Sequence, residues 1–291
     1  MTAALDAKPF EGKPFDDKPF LAACVQMRGG RDPAANREAA VKAVREAAAA
    51  GAAYVQTPET TSLIERDRAA LFEKVGPQAS NATLAALREV ARAEKIVLQI
   101  GSLAIREGEK IANRAFLIDA GGEIQVSYDK LHLYDVDLPN GESWRESATY
   151  SGGDCAVVAQ TPLADFGLTI CYDIRFPALY RALAEAGATV MTAPACFTRQ
   201  TGEAHWHILQ RARAIETGSF MISAAQGGRH EDGRETFGHS LIVDPWGRIL
   251  AEAAGDAPGV ILAEIDLARV AEARARIPTL SHARSFGVRR A

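Results

Sequence analysis

Cysteine is scarce in this chain, and neither charge sign is in marked excess. Of 291 residues only four are cysteine, at positions 24, 155, 171 and 196, and none forms a Cys-x-x-Cys pair. This argues against a disulfide framework and fits thiols kept reduced, as in a cytoplasm. Thirty-three Lys and Arg stand against 37 Asp and Glu, a formal balance of −4. That balance carries no electrostatic footprint of a nucleic-acid binder. No apolar run approaches the ~20 residues that cross a bilayer, so no membrane partner is expected. The N-terminus also lacks the basic-then-apolar order of a secretory signal. What remains is an ordinary globular composition, 47% hydrophobic and 24% charged, in a length that suits one large domain or two small ones.

The first twenty residues stand apart. Lys-Pro-Phe occurs at 8–10, 13–15 and 18–20, and prolines so closely spaced prevent a regular helix. We read residues 1–20 as a flexible extension and residues 21–291 as a single domain. The domain opens with an apolar strand from Leu21 to Met27. Asp32-Pro33 then reads as a cap and a first-turn proline before an alanine-rich helix that ends at Gly51. A second strand spans 52–56. This β–α–β opening points to a layered α/β architecture. A helix follows over 81–94, then a strand over 96–100. A hairpin pairs 111–118 with 123–127 around the turn Asp119-Ala120-Gly121-Gly122. Residues 135–150 read as a long loop, and loops of that length in compact domains tend to be functional. Further strands are expected at 166–170, 188–193, 220–225, 238–243, 249–252 and 260–265, with helices over 178–186, 202–217 and 267–276.

Three residues sit where such folds place chemistry. Cys171 follows an apolar strand and precedes Pro177, which suits a first helical turn. It therefore lies on a tight strand-to-helix crossing, close to backbone N–H groups that favour a thiolate. Taken alone, it also reads as a small buried hydrophobe. Glu59, in Thr57-Pro58-Glu59-Thr60, follows the second strand at the rim where α/β folds build their sites. Lys130 follows the hairpin, where an isolated lysine is ordinarily solvated. His205 and His207 are two apart on a helix and face different ways, so a shared metal is not expected.

The segment Ile170-Cys171-Tyr172-Asp173-Ile174-Arg175-Phe176-Pro177 resembles the nucleophile segment of the nitrilase, or carbon–nitrogen hydrolase, superfamily. That resemblance extends from Leu21 to the last helix. It implies Cys171 as nucleophile, Glu59 in its Pro-Glu segment as general base, and Lys130 in Lys-x-His-Leu as the third catalytic residue. It further implies a second glutamate before Gly152-Gly153, assigned to Glu146 with Glu142 as the alternative. The backbone N–H of Tyr172 would join Lys130 in holding the oxyanion. No metal or organic cofactor is implied. Many members carry proline where this chain has Gly152, which implies a looser loop.

Further stretches resemble the Nit-type branch that hydrolyses deaminated glutathione. They are 133–139, 202–206, 224–230, and Phe237-Gly238-His239-Ser240 followed by Asp244-Pro245-Trp246-Gly247. Such a substrate is acidic, and Arg175, Arg199 and Arg229 could supply positive charge. Cys196, Phe197 and Thr198, at a strand end, would line the pocket. The alternatives are an omega-amidase acting on 2-oxoglutaramate-like amides, then an N-carbamoyl hydrolase or nitrilase, or a non-catalytic interaction protein docking through its extension. The implied fold is an α-β-β-α sandwich whose protomers pair into a larger sandwich, as a homodimer or an assembly of dimers.

Overall fold

The computed structural model describes residues 18–139 and 141–290. The Lys-Pro-Phe copies at 8–10 and 13–15 lie outside the described residues. The third copy ends in Phe20, which is buried and pairs with Ile265, so the core begins one residue earlier than expected.

The chain opens with β1 (Phe20–Gln26), α1 (Pro33–Ala49), β2 (Tyr54–Gln56), α2 (Arg68–Lys74) and α3 (Ala82–Glu94). Three strands follow: β3 (Val97–Glu107), β4 (Lys110–Ile118) and β5 (Ile124–Asp129). Short strands β6 (Asp135–Asp137), β7 (Ser143–Arg145) and β8 (Tyr150–Ser151) lead into β9 (Val157–Gln160) and β10 (Asp165–Leu168). The chain continues through α4 (Pro177–Glu185), β11 (Val190–Thr192), α5 (Arg199–Thr217) and β12 (Phe220–Ser223). It ends with β13 (Gly227–Arg229), β14 (Glu235–Phe237), β15 (Leu241–Val243), β16 (Ile249–Glu252), β17 (Gly259–Ile265) and α6 (Ala268–Arg276).

Two sheets carry the fold. The first is seven-stranded, in the order β17-β1-β2-β3-β4-β5 with β8 alongside β4. The second is six-stranded, in the order β16-β15-β12-β11-β10-β9. Strand alternation explains how they stack. Ala22, Cys24, Tyr54, Val97 and Leu117 share one apolar cluster with Phe166, Val190 and Met191 of the other sheet. Their neighbours Ala23, Val25, Val55, Leu98 and Phe116 point the other way, onto Ala40 and Val44 of α1 and Leu87 and Val90 of α3. On the second sheet α4 and α5 supply the outer layer through Leu183, Trp206 and Ala214. The contact between sheets is close, with the Tyr54 and Phe166 rings stacked 4.6 Å apart. The expected α-β-β-α sandwich is what forms.

Local signals account for most boundaries. Asp32 caps α1 by accepting from the Ala34 N–H, and Asn81 caps α3 by accepting from that of Leu84. The turn after β4 is held by Asp119, whose Oδ1 accepts from the N–H groups of Gly121 and Glu123. Three expectations need correction. α2 was not foreseen, because its single buried residue, Leu71, leaves too little apolar periodicity to read. Residues 135–150 are more than a loop, since β6 and β7 pair as a hairpin and Glu146–Ala148 form a 3₁₀ turn. α5 starts at Arg199, three residues before the expected Gly202.

One close approach ties the fold to its site. The β3–β4 ladder shifts register between Ile100 and Leu103, and there β3 passes beneath the Thr57–Pro58 backbone. A Cβ at Gly101 would lie 2.1 Å from the Thr57 carbonyl oxygen and 2.5 Å from that of Pro58. Gly101→Ala is therefore expected to lower stability by about 1–3 kcal/mol and, by displacing the neighbouring Glu59, to lower kcat. Thermal melting and steady-state rates on one preparation check both effects.

Candidate active site

The three motif residues meet beyond the carboxyl ends of strands from both sheets. Glu59 follows β2, Lys130 follows β5 and Cys171 follows β10. The Glu59 turn is fixed by the bulged strand beneath it: Ser102 Oγ accepts from the Thr60 N–H and its carbonyl from that of Thr61. Buried Gln226 donates to the Glu59 carbonyl at 3.1 Å. Lys130 extends the β4–β5 ladder, its N–H donating to the Asn113 carbonyl at 3.0 Å. The glycines before β9 hold that segment close, since the Gly153 N–H donates to the Lys130 carbonyl at 2.9 Å. A Cβ at Gly152 would lie 3.1 Å from the Leu131 carbonyl, so the loop is packed rather than loosened there.

Cys171 opens a 3₁₀ turn, Cys171–Arg175, and has φ of +48°, a left-handed conformation that costs a side-chain-bearing residue free energy. Asp173 compensates. Its fully buried carboxylate accepts from the Ile170 N–H, the Tyr128 hydroxyl, and the N–H and ring Nδ1 of His132. Four donors from two segments thus over-determine the turn. The Cys171 N–H is spent on the Pro194 carbonyl at 2.9 Å. The Tyr172 N–H, in the first turn, has no preceding intrahelical acceptor.

Around Cys171 the charges are buried and interlocked. Lys130 Nζ donates to Glu59 Oε1 at 2.9 Å and to both Glu146 oxygens, at 3.1 and 2.9 Å. Asn113 Nδ2 bridges the two carboxylates, at 2.9 Å from Glu59 and 3.2 Å from Glu146. Glu59 Oε2 accepts from the Cys196 N–H at 2.8 Å, and Glu146 Oε2 from that of Tyr134 at 2.6 Å. Burial alone would raise the Glu59 pKa. The Lys130 charge, with donors from Lys130, Cys171 and Asn113, outweighs it and holds Glu59 below the ordinary carboxylate range. Burial would likewise lower Lys130, but Glu146 and Glu59 hold it well above the ordinary lysine range. Burial and the facing Glu59 carboxylate push the Cys171 thiol well above its ordinary range, and Lys130 offsets only part of this. The resting pair is a carboxylate beside a neutral thiol. Nearby N–H groups favour a thiolate, and the buried anion facing the sulfur works against it.

The cluster opens into a cavity of about 280 Å³. Cys196, Phe197 and Thr198 line it together with Tyr172, Tyr134 and Trp144. The 143–150 segment overhangs it and delivers Glu146 rather than Glu142. Arg175, Arg199 and Arg229 do not line it. Arg175 stacks over Tyr172 and Phe197, Arg199 pairs with Asp256 at 2.8 Å, and Arg229 is exposed on β13. The arginines at the cavity are Arg66, Arg68, Arg145 and Arg234, which carried no motif signal and reach it only through folding. Asn113 and Asp173 also went unassigned, although Asp173 lies inside the quoted motif. His205 and His207 diverge, toward Arg175 and Glu252 respectively. His207, His239 and Glu252 have donor atoms within 4.8 Å of one another, a grouping outside the cavity in which both imidazoles contact one Glu252 oxygen.

The facing carboxylate leads to a chemical test. Glu59→Gln removes the anion that raises the Cys171 pKa while Lys130 remains, so the thiol pKa falls. Iodoacetamide alkylation of Cys171 at neutral pH is expected to be slow in the native protein and about tenfold faster or more in the variant. Mass spectrometry of the labelled peptide over time checks this.

Comparison with known proteins agrees with this geometry. The family model described as "Carbon-nitrogen hydrolase" matches residues 21–275. Among curated relatives, a deaminated glutathione amidase of Yersinia enterocolitica is 39% identical over 239 residues, covering 80% of this chain and 82% of that protein. The Homo sapiens protein of the same name is 37% identical over 270 residues, covering 91% and 82%. Among solved structures, the C. elegans NitFhit protein superposes with a TM-score of 0.86 at 33% identity, covering 91% of this chain and 65% of that one. Saccharomyces cerevisiae Nit3, of the nitrilase superfamily, superposes at 0.80 with 28% identity, covering 90% and 95%. With its Glu, Lys and Cys joined at one cavity and the family model spanning nearly all of it, this chain belongs to the carbon–nitrogen hydrolase family.

Proposed function

We propose that this carbon–nitrogen hydrolase cleaves deaminated glutathione to 2-oxoglutarate and cysteinylglycine, with Glu59, Lys130, Cys171 and Glu146 as its catalytic set. The observation that carries the reading is the buried Glu59–Lys130–Glu146 ion cluster facing a neutral thiol at the floor of a cavity. Relatives named for that substrate, at 37–39% identity, support the choice of amide. Arginines at the cavity suit an acidic ligand.

The chemistry follows from the protonation states. Glu59, held as a carboxylate, takes the Cys171 proton as the sulfur attacks the amide carbon, so the thiolate exists only while the bond forms. Charge developing on the carbonyl oxygen is met by Lys130 and the Tyr172 N–H, a contribution worth about 3–4 kcal/mol per donor. Glu59 then gives its proton to the departing nitrogen, which leaves as the free amine of cysteinylglycine, and the acyl group remains as a thioester on Cys171. A water activated by Glu59 attacks the thioester. Its collapse releases 2-oxoglutarate, and the proton returns to the sulfur. Glu146 keeps Lys130 charged and aimed throughout.

A second reading, omega-amidase activity on 2-oxoglutaramate, is favoured by the modest cavity of about 280 Å³, near the lower end for small-molecule sites. We place the enzyme in the cytoplasm: the described cysteines are all free thiols, and no described helix is long and apolar enough to cross a membrane. A homodimer is proposed through α5, where Ile208 and Ile215 are exposed and Ile215 lies against Gly247, next in sequence to exposed Trp246.

Two measurements check these statements. kcat/KM is expected to be higher for deaminated glutathione than for 2-oxoglutaramate, and Cys171→Ala is expected to abolish both; the reverse preference would select the second reading. Light scattering on an eluting column peak is expected to give the mass of a dimer, and Ile208→Asp to shift it toward that of a monomer.

A further inference from the structure

Arg234 has a strong claim on a ligand. It immediately precedes β14, and its side chain is only 16% exposed at the cavity wall. Its contacts leave it incompletely satisfied. Nη1 approaches Cys196 Sγ at 3.5 Å, Nη2 stands 3.6 Å from Asp232 Oδ2, and buried Nε has no partner. Beside it, Trp144 Nε1 is also buried with no partner. The guanidinium carbon lies 4.8 Å from the Trp144 ring centroid, and that of Arg66 lies 4.4 Å from the same centroid. Two cations therefore gather on one indole, and among the described residues Arg66 forms no ion pair. Burial opposes the charge on Arg234, yet neighbouring groups hold its pKa above the ordinary arginine range.

An arginine retained only for packing would be expected to close its N–H groups on nearby acceptors, because a buried donor without a partner costs stability. Here Asp232 stands just beyond hydrogen-bond reach while two donors, Arg234 Nε and Trp144 Nε1, remain unpaired at the same wall. The guanidinium carbon lies over the indole and buried Nε has no acceptor, so a planar carboxylate would find an unmet donor here. Its position selects which carboxylate. Arg234 contacts Cys196, whose N–H holds the Glu59 carboxylate, so the guanidinium is one residue removed from the base. The acyl half stays on Cys171 after the amine has left, so a cation beside Cys196 is placed to hold a carboxylate on that half.

We propose that Arg234, stacked on Trp144 beside Cys196, is the subsite for a carboxylate on the acyl half of the substrate, selecting monoamides of short dicarboxylic acids over neutral amides. This rests on the amidase reading above and deepens it. The subsite serves deaminated glutathione and 2-oxoglutaramate equally, because both carry the same acyl group. It takes the role that the sequence reading gave to Arg175, Arg199 and Arg229.

The experiment compares kcat/KM for 2-oxoglutaramate and for pentanamide, a neutral amide of the same chain length, in the wild type, Arg234→Gln and Arg234→Lys. The expected result is a fall of about 10- to 100-fold in the 2-oxoglutaramate/pentanamide ratio for Arg234→Gln, carried by KM, with partial recovery in the lysine variant. Equal losses on both amides would assign Arg234 a structural role and overturn the proposal, as would an unchanged ratio. A companion measurement needs no turnover: calorimetric binding of 2-oxoglutarate to Cys171→Ala is expected to weaken about 10- to 100-fold when Arg234→Gln is added. Unaltered binding overturns the subsite. Wild-type enzyme inactive on deaminated glutathione would overturn the substrate proposed above, while the binding comparison would still decide the fate of Arg234.

Discussion

Lys130 is a buried ammonium held between the buried Glu59 carboxylate and the part-buried Glu146 carboxylate, and the proposed chemistry rests on that triad. Moving three charges out of water is costly, and well-packed apolar residues could fill the same space at least as stably. What the triad provides is a set of protonation states. Burial and the facing Glu59 carboxylate raise the Cys171 thiol, and Lys130 keeps Glu59 below the ordinary carboxylate range, which suits the proposed transfer of the proton from sulfur to Glu59. Losing Lys130 would strand two carboxylates without a counter-charge, a defect worth about 3–5 kcal/mol. Asn113, touching both carboxylates, spaces them around the ammonium.

The sandwich exists in a form that can assemble such a triad. Glu59 and Lys130 come from the first sheet, Cys171 and Cys196 from the second, and all four follow carboxyl ends of strands. The two sheets are held in register by apolar alternation and by polar ties such as Gln99 to Thr192 at 3.1 Å. Local strain gathers in the same place. Thr60 and Cys171 both adopt positive φ, one steadied by Ser102 and the other by Asp173. Tight packing transmits any error directly, as at Gly101, where no side chain fits below the Glu59 turn.

Most of the frame was legible from local pattern. Asp32-Pro33 and Asn81 marked helix starts because capping is decided within a few residues. Local pattern placed Cys171 at a strand end before Pro177 and Glu59 after a strand, but it was the resemblance to the nitrilase superfamily that singled out these two and Lys130. α2 and the β6–β7 hairpin were not legible, because each is short and gains its order from what it packs against. The arginines that line the cavity were not legible for a related reason. Arg175 is four residues from the nucleophile yet turns onto Tyr172 and Phe197, whereas Arg234 arrives from a distant hairpin.

By itself the sequence determined which residue types were present, where most strands and helices begin, and, through its motifs, which cysteine, glutamate and lysine to look for together. These properties are written in short windows, where periodicity, capping and turn chemistry act. Tertiary structure alone decided the burial and the facing carboxylate that raise the Cys171 thiol, the anchoring of its strained turn by Asp173, the meeting of Glu146 with Lys130, and the placing of Arg234 on Trp144. Each depends on distances between groups far apart in the chain and on how completely water is removed from between them, and neither quantity exists until the two sheets close.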